Sequence, residues 1–217
     1  MISLVLFDLD GTLADSAHDL AGAINRLRQA AGMPPLPYQA LRRHASGGAR
    51  ALLRAGFGIA PGDPGYDELR ARFLADYELN LCRETRLFDG IPELLDGLER
   101  RGLRWGIVTN KFDRFTRRVV AGLGLGNAAC VVSGDSTPTP KPHPAPLLLA
   151  CRLAERSPAQ TVYVGDDLRD IEAGRAAGIR TLAAGWGYLG DGPPVEAWGA
   201  DAISATPAEV PGLLGAA

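Results

Sequence analysis

An α/β fold, with a parallel sheet covered by helices on both faces and an all-helical insertion, is predicted by three observations on this chain of 217 residues. Strand-like apolar runs alternate with amphipathic segments of about ten residues from residue 86 onward. One more apolar run opens the chain at Ile2–Phe7. Between them, over about residues 16–85, only helical periodicity is found.

The opening run is apolar at nearly every position, as suits a strand buried on both faces. From Ser16 to Ala31 the spacing becomes helical, with Leu20, Ile24 and Leu27 on one stripe, and "GMPPLP" ends it. Two short helices follow at Tyr38–His44 and Gly47–Ala55, then a Gly/Pro loop, then an amphipathic helix over Tyr66–Cys82. In "IPELLDGLERRG" a proline stands in the first helical turn and a glycine past the end. The remainder reads strand "RWGIVTN", helix "FDRFTRRVVAGLG", strand "ACVVSGD", helix "PAPLLLACRLAER", strand "TVYVGDD", helix "LRDIEAGRAAG" and strand "RTLAAGWG". The expectation is therefore a Rossmann-like core from residues 1–15 and 86–217, with residues 16–85 inserted over the carboxyl edge of the sheet.

Composition narrows the function classes. Hydrophobic residues make up 46% of the chain and charged residues 22%, enough for a sizeable core. A net charge of -2 gives no electrostatic reason to expect nucleic acid or an anionic membrane as partner. No apolar stretch approaches the ~20 residues that span a bilayer, and "MISLVLFD" has no signal-peptide pattern. Three scattered cysteines make neither a disulfide framework nor a zinc site. A cytoplasmic protein, monomer or homodimer, acting on a small molecule is expected. Among 23 basic residues only Lys111 and Lys141 are lysines, which suggests positions where a compact ammonium does what a guanidinium cannot.

Ligands of open parallel sheets bind at the carboxyl ends of the strands. There the sequence puts Asp8 and Asp10, then Thr109 and Asn110, then Asp166 and Asp167, while Lys141 stands in the loop "TPTPKPHP". Asp8 and Asp10 are two apart, so in extended chain both face one side. Converging carboxylates call for a hard cation such as Mg²⁺. A hydroxyl, an amide and an ammonium supply what a phosphate needs. A carboxylate can itself attack phosphorus, and a second carboxyl can serve the leaving alcohol and the water.

"DLDGTLADS", "VTN", the lysine of "TPKP" and "VGDDLRD" together resemble the four motifs of the haloacid dehalogenase superfamily, in its phosphatase branch. "SGGAR", "LFDGIPELL", "WGIVTNK", "VGDDLRDIEAG" and "WGAD" are similar to the phosphoglycolate phosphatase group, and within it to the N-acetylmuramic acid 6-phosphate phosphatases. The resemblance implies that Asp8 is the nucleophile and a Mg²⁺ ligand. It implies that Asp10 is the general acid/base, its carbonyl on the metal, and that Asp166 is the remaining protein ligand. Thr109, Asn110 and Lys141 would hold the phosphoryl group, with Asp167 and Asp170 in an outer shell. Asp10 argues against dehalogenation, because the dehalogenases do not keep that residue.

Other readings stand beside these. Asp170 also suits a first-turn helix acid, and Trp186, Tyr188 and Trp198 suit packing. His18, His44 and His143 are read as surface or loop residues. In the insertion, Ser46 is read as an N-cap, with Gly47 and Gly48 leaving N–H groups open to a substrate anion and Arg50 nearby. A phosphomutase of the β-phosphoglucomutase type and a non-catalytic phosphate sensor are the alternatives in function.

Overall fold

The computed structural model describes residues 1–215 and joins six parallel strands in the order β5-β4-β1-β6-β7-β8. These are β1 (Leu4–Phe7), β4 (Arg104–Val108), β5 (Val131–Val132), β6 (Thr161–Gly165), β7 (Arg180–Ala184) and β8 (Ala202–Ser204). The first strand lies at the centre, with β4 and β6 on either side. Because side chains alternate across a strand, β1 feeds both layers. Val5 and Phe7 enter one core with Ile107 and Val164, under α5 (Ile91–Arg100) and α6 (Asp113–Gly122). Leu4 and Leu6 enter the other with Val132 and Tyr163, under α7 (Ala145–Leu153) and α8 (Leu168–Ala176). A short α9 (Val210–Leu213) packs beside α5.

The inserted segment holds α1 (Ala17–Ala30), α2 (Tyr38–Arg42), α3 (Gly48–Phe57) and α4 (Tyr66–Leu79). The stripe Leu20, Ile24 and Leu27 of α1 is buried as its spacing predicts. Gly56 lets α3 approach α1, since a Cβ there would lie 2.7 Å from Ile24 Cγ2. Arg26 forks onto Asp76 at 2.7–3.2 Å and ties α1 to α4. Where the chain enters and leaves the insertion, β2 (Ala14–Asp15) and β3 (Arg86–Leu87) pair antiparallel. Asp19 reinforces that exit, its buried carboxylate accepting from the N–H groups of Glu84 and Thr85 and from the Thr85 hydroxyl. No helix among the described residues is long and apolar enough to cross a membrane.

The structure departs from the sequence expectations in four places. The ribbon β2–β3 and the edge strand β8 are additions, too short for periodicity to register. Helix α4 ends at Leu79 and not Cys82, because the Asn80 N–H turns back onto Asp76 and Tyr77 and Cys82 takes φ 61°. Ser46 does not cap α3: the cap position belongs to Gly47, and the Ser46 hydroxyl bonds elsewhere. The N–H groups of Gly47 and Gly48 are taken up by the carbonyls of His44 and Ala45, so neither is open to an anion.

Candidate active site

Three adjacent strands end at one point. Asp8 follows β1, Thr109 follows β4 and Asp166 follows β6, so the strand order β4-β1-β6 alone brings them together. Lys141, from the loop before α7, inserts its ammonium between two carboxylates, 3.0 Å from Asp8 and 2.6 Å from Asp170. The hydroxyl of Tyr163 at 2.7 Å and the carbonyl of Val108 at 3.0 Å complete its shell. Burial opposes a charge there, but the two carboxylates outweigh it and raise the Lys141 pKa.

Asp166 is wholly buried and held on both oxygens. The Thr12 hydroxyl donates to one at 2.9 Å; the Ser46 hydroxyl, from the insertion, and the Tyr188 N–H donate to the other at 2.8 and 3.0 Å. Close packing leaves no freedom, for a Cβ on Gly11, itself at φ +88°, would lie 2.1 Å from Asp166 Oδ2. Oxygens of Asp8, Asp166 and Asp170 lie within 4.8 Å of one another. Burial above all, then neighbouring acids, pushes Asp8 to about 7 despite Lys141, and burial followed by Asp8 and Asp170 pushes Asp166 to about 8. One ammonium pairs with two of these three buried acids and, among the described residues, none pairs with Asp166, a donor set that fits a divalent hard cation with oxygen ligands. Asp8 and Asp166 would hold such an ion.

Asp10 stands apart from that cluster. Both its oxygens meet the ammonium of Lys111, at 2.9 and 3.0 Å, and the Ser16 hydroxyl donates to one of them. Lys111 also touches the Tyr77 hydroxyl of α4 at 2.8 Å. The scarcity of lysine points to this residue, and both lysines of the chain stand in the site.

The two acids ahead of α8 divide their work. Asp167 caps the helix and grips Arg169 at 2.7 Å; burial alone would raise its pKa, but the guanidinium brings it below the usual value. Asp170 completes the capping box while its carboxylate pairs with Lys141. Asn110 exchanges two hydrogen bonds of 2.9 Å with the Lys141 backbone, which occupies the amide expected on a phosphate.

Tyr188, read from sequence as packing, does more. Its hydroxyl accepts from Ser16 N–H at 2.8 Å and Ala17 N–H at 3.0 Å while its backbone serves Asp166. Trp198 does pack, against Ile171 and Ala183. His44 pairs with Asp191 at 2.8 Å, His18 stacks on Tyr38, and His143 is exposed. A cavity of about 310 Å³ lies between sheet edge and insertion, and Asp8, Asp10, Thr109, Lys141, Ser46 and Arg50 are among its lining residues.

The family model for haloacid dehalogenase-like hydrolases matches residues 5–184. The chain belongs to the haloacid dehalogenase-like hydrolase family. Within that family it stands with the phosphatases. It is 42% identical to an N-acetylmuramic acid 6-phosphate phosphatase of Pseudomonas aeruginosa, over 98% of this chain and 95% of that one. It is 41% identical to a phosphoglycolate phosphatase of Xanthomonas campestris pv. campestris, over 95% and 93%. A crystal structure of a predicted phosphoglycolate phosphatase from Haemophilus somnus 129PT superposes with a TM-score of 0.85 at 27% identity, covering 98% of this chain and 97% of that one.

Proposed function

We propose that this member of the haloacid dehalogenase-like hydrolases cleaves a small phosphomonoester that carries a carboxylate, N-acetylmuramic acid 6-phosphate or 2-phosphoglycolate. The observation that carries this reading is Asp8, a buried carboxylate at the central strand end, within 3.0 Å of a lysine ammonium and facing a cavity. Relatives named for those two esters, at 42% and 41% identity, support the choice of substrates.

Asp8 attacks phosphorus, the P–O bond to the alcohol breaks, and Asp10 gives that alcohol its proton. Water then attacks the aspartyl-phosphate, Asp10 takes its proton back, and inorganic phosphate leaves with Asp8 restored. Lys141 and Thr109 bind phosphoryl oxygens, and Asn110 fixes the Lys141 loop. Asp8, Asp166 and the Asp10 carbonyl would hold Mg²⁺, which would neutralise charge on the phosphoryl oxygens. Asp170 holds Lys141, and Asp167 holds Arg169. Residues 1–15 and 86–215 are the phosphatase core, residues 216 and 217 of the expected range lying outside the described ones, and residues 16–85 are a cap that sets specificity through side chains facing the cavity, Arg50 among them. Three free cysteines, Cys82, Cys130 and Cys151, suit a reducing cytoplasm.

Asp8→Asn tests this directly, because the amide is isosteric but not nucleophilic. Phosphate release, equal to ester consumed in the parent enzyme, falls to background in the variant while its melting curve is retained. Turnover by the variant, or activity that survives exhaustive chelation, refutes the mechanism.

A further inference from the structure

The two walls of the cavity differ in charge. On the core wall each lining acid has a cation: Lys141 serves Asp8 and Asp170, Lys111 serves Asp10, and Arg169 serves Asp167. The cap wall carries no acid. It carries two guanidinium groups, Arg50 of α3 and Arg70 of α4, neither of which pairs with a carboxylate among the described residues.

Arg50 is exposed, whereas Arg70 is half-buried and its guanidinium carbon lies 5.8 Å from the centre of the Phe112 ring. Phe112 follows directly on the loop that supplies Thr109 and Lys111, so stacking holds one face of Arg70 against the core. Its N–H fork makes no hydrogen bond within the described residues. That fork matches a carboxylate in two parallel hydrogen bonds. On α4, Tyr66, Phe73 and Tyr77 stand four residues before, three after and seven after Arg70, so the guanidinium shares its stripe with three aromatic rings that line the cavity.

We propose that Arg70 is the residue that binds the carboxylate of the substrate, across a body of ring size that separates it from the phosphate. This rests on the phosphomonoesterase reading above and sharpens it. An ester whose phosphate and carboxylate are separated by a sugar ring engages the core lysine and the cap arginine at once. A two-carbon acid holds its carboxylate close to phosphorus and so close to the core lysine. The cavity of about 310 Å³ suits the larger molecule.

The test compares three esters with Mg²⁺ present: N-acetylmuramic acid 6-phosphate, N-acetylglucosamine 6-phosphate (the same ring without the lactyl carboxylate) and 2-phosphoglycolate. The enzymes are the parent, Arg70→Met, whose stem still packs on Phe112, and Arg70→Lys. The parent prefers the muramic ester to both others by about tenfold or more in kcat/KM. Arg70→Met lowers kcat/KM for that ester by roughly ten- to a hundredfold, the worth of a charge-assisted hydrogen-bond pair. It leaves the glucosamine ester within about twofold, which also shows that the variant is folded. Arg70→Lys falls between. Equal losses on the two sugars, or none, overturn the role of Arg70. A parent that prefers 2-phosphoglycolate overturns the ring-sized body. A parent inactive on all three esters overturns instead the phosphomonoesterase reading itself.

Discussion

Magnesium affinity of the enzyme should fall steeply on mild acidification, because two buried carboxyls must lose protons to bind the ion. Burial pushes Asp8 up to about 7 and Asp166 up to about 8 in the folded, metal-free protein, against 3.8 for an ordinary aspartate. Their folded pKa values are raised, so the metal-free fold holds extra protons between about pH 4 and 8 and loses stability as pH rises through that window. An ion bound to both carboxylates must displace those protons. With both carboxyls raised into the neutral range, the doubly ionised fraction drops by well over tenfold between pH 8 and pH 6, and the apparent affinity drops with it. Calorimetric titration with Mg²⁺ at the two pH values measures that ratio. Repeating it in buffers of different ionisation enthalpy counts the protons released, close to two at pH 6. A fall of less than about tenfold, or release of fewer than one proton, refutes the argument that burial and mutual repulsion keep these acids protonated.

Two further perturbations address the frame of the site. Gly11→Ala puts a methyl group 2.1 Å from Asp166 Oδ2 at a backbone φ of +88°, so Mg²⁺ binding and turnover should be lost while far-ultraviolet circular dichroism is kept; normal metal affinity refutes the steric argument. Tyr188→Phe strips the acceptor from the N–H groups of Ser16 and Ala17 and should cost about 1–3 kcal/mol in urea denaturation, with a loss below about 0.5 kcal/mol counting against it.

What could be read from the sequence was whatever is local. The strands β1, β4, β5, β6 and β7 are short runs rich in apolar residues, and the acids that follow β1 and β6 lie within three residues of them. The parallel topology then brings together Asp8, Thr109 and Asp166, which are about a hundred and fifty residues apart at the extremes. Strand β8 escaped because it spans three residues and exists only through its pairing with β7. Ser46 obeyed the local rule for a cap in composition but not in space, since a buried carboxylate on the core offered its hydroxyl a stronger partner than the helix end did. Asn110 likewise satisfied its amide on the Lys141 backbone, 31 residues away. Tyr188 and Arg70 carried no local sign of their roles, for each depends on what the fold sets opposite. Lys111 was legible only through the rarity of its kind.

That rarity has a practical side. Reagents that acylate amines label most proteins through lysines scattered over the surface, yet here both lysine side chains are nearly inaccessible, at 6% and 2% exposure. Twenty-one arginines carry the remaining positive charge and are inert to such reagents at neutral pH. Acylation of Lys111, whose ammonium is covered by Tyr77 of α4, therefore calls for the inserted helices to move off the sheet edge, and its rate is a clock for that motion, while Lys141, held among core groups, is the internal control. Mass spectrometry can follow the modification with no engineered probe, and a bound ester that holds the cap down slows it in proportion to its occupancy.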